Sequence, residues 1–226
     1  MIALAADRWR EEQRNAELAA EYVQRLAKDI RIDLGDYAET AAWARLADDE
    51  VLYVLNVYRG REIEHDEYDR LVGGVMRASW GQRPRHAPET RNDLISTGNI
   101  SLLPINVRSA MSAYYGDVDL YNDRWTLSLG SCFEPYWVAI GRIIGPDMIP
   151  DVWRGLRRSP DYKIEQGALN VGRDDALAVL ERLRAESGLE GVLAKVRHCH
   201  AQRIEINEER LPRAANKLLQ ELEKFE

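Results

Sequence analysis

Only two cysteines occur in the 226 residues, Cys132 and Cys199. They fit one bridge or two free thiols, and so leave the redox compartment open. Long apolar runs are missing too. No stretch approaches the roughly 18 apolar residues of a membrane span, so the sequence as it stands does not cross a bilayer. There is no basic surplus: the formal net charge is −7, which argues against a general nucleic-acid binder and fits a soluble protein. Lysine is scarce beside arginine, a skew with no functional reading. GxGxxG, a phosphate loop, an internal repeat and period-two alternation are all absent, and with them the usual signs of nucleotide binding or of a sheet.

Helical periodicity is what remains, and it is strong. The length suits one domain, 1–226, with a core large enough to fold without metals or disulfides. A first helix is expected from about residue 3 to 35, with a break allowed at Gly35 and the pattern resuming over 37–58 before Gly60. Shorter helices follow at 64–78, 90–97, 105–115, 131–144, 150–157 and 173–186. Residues 116–125 could continue the helix before them. The Pro- and Gly-bearing stretch 80–89 reads as a loop. Pro135 fits a first helical turn, with Ser131 as a cap. A last long helix, 189–225, should be kinked or divided at Pro212. The fold class is all-α: a helical bundle framed by long N- and C-terminal helices packed antiparallel, with several short helices between.

Both long helices carry polar residues on their apolar stripes. Ala19, Val23, Leu26, Ile30, Asp33 and Tyr37 line the first; Leu193, Val196, His200, Ile204, Asn207, Leu211, Ala214 and Leu218 line the last. Asp29 or Asp33 could then meet His200 or Arg203 in a polar seam. A register-fixing ion pair is the ordinary reading of such a seam, and a charged pocket the sharper one.

Other constellations reduce to structure. His198 and His200 lie two apart on a helix, about 200° round its axis, and cannot chelate one ion together. Glu62-x-x-His65 has the spacing of a di-iron ligand pair but lacks its second copy, so 62–69 reads as a solvated acidic face. Gly130-Ser131-Cys132 is not a nucleophile elbow, and Cys132 reads as a small buried hydrophobe. No catalytic residue, cofactor or metal ligand is therefore assigned. Two basic clusters could hold a phosphate or carboxylate, although scattered surface arginines are the commoner case. They are Arg83, Arg85, His86 and Arg91 around the proline loop, and Arg154, Arg157 and Arg158 near Trp153. The aromatic residues Tyr114, Tyr115, Tyr121, Trp125, Tyr136 and Trp137 could line a pocket, with core filling as the default.

Four short motifs carry a resemblance. Ala5-Ala6-Asp7-Arg8-Trp9 ends a small apolar stub, 1–6, and Leu26-x-x-Asp29-Ile30-x-x-Asp33 follows on the first helix. Ser96-Thr97-Gly98 and Tyr114-Tyr115 come later. Over about the first 125 residues the chain resembles a large bacterial family that carries a domain of unknown function. Members of that family begin with one membrane helix, which is missing here, so 1–6 reads as its remnant. The resemblance implies a helical domain anchored at the inner membrane and lying outside the cytoplasm; without the anchor, a cytoplasmic protein. It brings no activity. The expectation is a non-enzymatic helical interaction or scaffold module that binds a protein partner or a second copy, not nucleic acid. The alternative is a small-ligand sensor or enzyme with a pocket between the aromatic segment 114–137 and the long helices.

Overall fold

Helix α1 runs unbroken from Ile2 to Tyr58 in the computed structural model, which describes residues 2–81, 83–150, 152, 169 and 171–225. At 1.5 Å per residue it is about 85 Å long. No proline interrupts it, and Gly35 sits in it with open space where a Cβ would be, so the break allowed there does not occur. The helix stops where Gly60 adopts φ +107, with Arg61 N–H donating to the Asn56 carbonyl and Gly60 N–H to that of Val57. This is a Schellman-type end, which needs a left-handed residue.

Then come α2 (Tyr68–Arg77), α3 (Glu89–Ser96), α4 (Ile105–Ser128), α5 (Glu134–Ile143), α6 (Arg173–Ala185), α7 (Leu189–Glu205) and α8 (Leu211–Glu223). Among the described residues there is no strand, and the long N-terminal and C-terminal helices pack against each other, so the all-α bundle stands. The helix expected at 150–157 and the Arg154, Arg157 and Arg158 cluster fall largely outside the described residues.

Two π-helical turns explain how prolines enter long helices. Leu129–Phe133 joins α4 to α5, and Ile206–Arg210 joins α7 to α8. Pro135 and Pro212 stand in the first turns of α5 and α8. Each lacks the N–H that the carbonyl four residues back would receive, and a wider turn takes up that defect without breaking the rod. Ser131 is therefore no cap. It lies inside the first π turn, and its Oγ donates to the Leu127 carbonyl at 3.0 Å.

The chain forms two compact units. The first is Met1–Thr40, Arg83–Asp123 and Glu205–Glu226; the second is Ala41–Gln82 and Arg124–Ile204. Three of the four crossings fall inside α1, α4 and α7, where no linker composition marks them. In the first unit, Leu26, Ile30, Tyr37, Leu94, Leu103, Tyr114 and Tyr115 form the interior, and Leu211, Ala215, Leu218 and Leu222 bury one face of α8. In the second, Val51, Val54, Leu71, Val75, Phe133, Tyr136, Ile143, Leu183 and Leu193 form one cluster. Each such side chain contributes about 2 kcal/mol by leaving water.

The second unit is also tied by a disulfide between Cys132 and Cys199, 67 residues apart in sequence. Asp69 ties it further, for its carboxylate accepts the backbone N–H groups of Leu169 (3.1 Å) and Val171 (2.9 Å). Only 5% exposed, Asp69 does not belong to a solvated acidic face.

Candidate functional site

The polar residues of the expected seam fall into two groups, one in each unit. In the first unit, Asp33 is fully buried. Its Oδ2 accepts from the Tyr114 hydroxyl at 2.6 Å and its Oδ1 from the Ala87 N–H at 2.9 Å. Burial pushes the Asp33 pKa up, while these two donors pull it down, and the like charges of Asp29 and Asp36 add to the rise. Asp29 keeps one buried carboxylate oxygen without a hydrogen bond among the described residues.

The network continues outward from Asp33. The Tyr114 hydroxyl lies 2.5 Å from that of Tyr37, and the Tyr37 hydroxyl 3.1 Å from His86 Nδ1. A hydroxyl has one proton to donate. Since Tyr114 donates to Asp33, Tyr37 must donate to Tyr114, and His86 Nδ1–H must donate to Tyr37. The chain is thus directed, and it fixes the neutral His86 tautomer with a bare Nε2. Burial, with Arg83 nearby, lowers the His86 pKa to about 4, so the ring is neutral at pH 7. Burial raises the hydroxyl pKa values of Tyr37 and Tyr114, which stay protonated as the chain requires.

His86 ends this network at a surface cavity of about 310 Å³, lined also by Arg83, Pro84, Pro88, Arg91, Tyr115, Val118, Asp119 and Asn122. Three members of the basic cluster read from the sequence therefore meet; Arg85 is exposed and not part of the lining. Arg83 Nε donates to Asn122 Oδ1 at 3.0 Å. The Arg91 guanidinium stands 4.6 Å from the centre of the Tyr115 ring and 3.7 Å from Asp119.

In the second unit, His200 is fully buried. Its Nε2 lies 2.9 Å from the Ala78 carbonyl and so carries the proton. Its ring meets Phe133 edge-on at 5.3 Å, and burial lowers its pKa to about 4. Arg203, one turn on, has its guanidinium 3.8 Å from the Trp125 ring centre and 4.2 Å from that of Phe133. Gly81 closes over it: a Cβ there would stand 1.9 Å from Arg203 Nη1. A structural cation–aromatic stack results.

Beside that stack lies an apolar groove of about 510 Å³, lined by Met76, Ser79, Trp80, Gly81, Trp137, Ile140 and Ile149. Trp137 is 47% exposed and its neighbour Val138 55%. The aromatic segment thus divides. Tyr114, Tyr115 and Tyr121 serve the first unit, and Trp125, Tyr136 and Trp137 the second.

Tyr37 reads from sequence as one more apolar stripe residue, and only the structure shows its hydroxyl as a relay. His86 reads from sequence as a member of the basic cluster in the proline loop, and nothing there signals its link to Tyr37. Among the described residues no cluster of three or more His, Cys, Asp or Glu side chains could hold a metal, and no helix is long and apolar enough to cross a membrane. No protein family, curated protein or solved structure matches the chain.

Proposed function

We propose that this protein is a non-catalytic helical interaction module, which holds an apolar segment of a partner protein in the groove of Met76, Trp80, Trp137, Ile140 and Ile149. The exposed Trp137 carries this reading. Burying the open half of a Trp side chain, on the order of 100 Å², would contribute about 3 kcal/mol to a complex. A groove between helices with an aromatic wall suits the apolar face of an amphipathic helix. The disulfide favours a compartment where thiols are oxidised. Of the two locations the resemblance allows, this favours the anchored one, with the helical domain outside the cytoplasm, over the cytoplasmic one.

Selection of a displayed peptide library on the purified protein tests the proposal. Apolar helical peptides should be enriched, and Trp137→Glu should abolish their binding with the melting temperature unchanged. No enrichment, or peptides indifferent to Trp137→Glu, would overturn it.

A further inference from the structure

We infer that the helix held in the groove of the second unit is α5 of a second copy, so that the chain forms an antiparallel two-fold pair. The inference rests on the reading of that groove as a docking site and names its occupant.

The groove suits the apolar face of a helix, and the chain shows such a face beside it. Trp137 and Val138 on α5 are the only exposed large apolar residues adjacent in sequence among the described ones. Leu127, also exposed, stands about three turns earlier on the helical rod that α5 continues. Between them Gly130 and Ser131 are exposed too, and their small size lets a second helix come close.

The charges on this face select a second copy over an unrelated helix. Glu134 and Arg142 are exposed and stand four residues either side of Val138. Helical positions four apart share a face. Two copies that cross antiparallel at Val138 therefore put each Glu134 opposite the other's Arg142. Glu134 has no ion-pair partner among the described residues. Arg142 holds Glu186 through Nε and Nη2, which leaves Nη1 of a largely exposed guanidinium for a second carboxylate. Such a pair is isologous, the commonest symmetry of a dimer. Each Trp137 then lies on the flank where the other copy's groove opens, so both grooves fill together. By itself the face from Leu127 to Arg142, about 22 Å long and about 10 Å wide, falls short of the roughly 800 Å² that each partner of a standard complex buries. The grooves must supply the rest.

Sedimentation equilibrium of the full chain tests the pair. A dimer should form with Kd about micromolar or tighter. Trp137→Glu should be monomeric with an unchanged melting temperature. Glu134→Arg and Arg142→Glu, each shown by a melt to be folded, should each weaken the homodimer about tenfold or more, since like charges then face each other. Mixed in equal amounts, these two variants should pair with each other as tightly as the unaltered chain does with itself, because both crossings again join opposite charges. A monomeric chain, a dimer indifferent to Trp137→Glu, or a mixture no stronger than its components would each overturn the inference. A monomer that still binds the selected helical peptides through Trp137 would leave the groove reading standing; a monomer that binds none would end both.

Discussion

Reduction of the Cys132–Cys199 bridge is the perturbation with the largest calculable effect. The bridge closes a loop of 67 residues. In the chain-entropy treatment such a loop, left open, gives the unfolded state about 4 kcal/mol more freedom. Native packing changes little, since both sulfurs are buried and two thiols occupy nearly the same space. A domain is stable by about 5–15 kcal/mol, so a loss of this size is a large share. For a chain of this length each kcal/mol moves the melting temperature by about 2–4 °C, which gives a drop of about 8–16 °C. Calorimetric melts with and without a phosphine reductant measure it, and the Cys132→Ser, Cys199→Ser double variant should match the reduced protein and ignore reductant. A shift below about 3 °C, or two alkylatable thiols in protein purified without reductant, would refute the reasoning.

Three further outcomes follow from particular contacts. Gly81→Ala should cost about 1–3 kcal/mol in denaturant unfolding, because its Cβ meets an Arg203 side chain held against Trp125 and Phe133. Asp33→Ala should cost about 2–4 kcal/mol, leaving the Tyr114 hydroxyl and the Ala87 N–H unpaired; Asp33→Asn, which keeps an acceptor and loses the buried charge, should cost less in the same measurement. Acid should destabilise the fold early. His200 has its pKa lowered to about 4 against an ordinary value near 6.5, so between these pH values the unfolded chain takes up a proton that the folded one refuses. The His200 contribution is full above about pH 6.5 and falls by about 3 kcal/mol as pH drops to about 4. His86, lowered likewise to about 4, adds a similar share, so His200→Gln should remove about half of the slope.

The helical class and most helix positions are legible in the sequence, because a buried stripe repeats at the helical period whatever it packs against. Leu26, Ile30, Leu193, Val196 and Leu218 all read correctly as interior. The polar partners do not read out, for periodicity says which face is buried and not what it meets. The stripes alone pair Asp33 with His200 or Arg203 across a seam; its two donors are instead Tyr114 and a loop amide. Pairs such as Tyr37 with His86, 49 residues apart, depend on tertiary approach alone. The π turns are also hidden, although each proline that calls for one is in plain view. The unit boundaries escape for a different reason: at 40/41, 123/124 and 204/205 the chain is continuous helix, with nothing of a linker about it.

Three of the four short motifs have physical roles in building the first unit. Leu26 and Ile30 fill the first unit's interior, and Asp33 between α1 and the proline loop collects two donors. Ser96-Thr97-Gly98 ends α3. Ser96 and Thr97 hydroxyls donate to the Asp93 carbonyl, and Gly98 at φ +74 takes the left-handed conformation that lets the chain leave the helix. Tyr114 satisfies Asp33, and Tyr115 packs edge-on against Tyr114 at 4.9 Å while its ring faces Arg91. Every one of these is a condition for building the unit. Asp33, Tyr37 and Tyr114 are fully buried, and His86, on which the network ends, belongs to none of the motifs. The motifs therefore hold a proton-ordered chain in place, and that chain ends on His86 in the loop at 83–88.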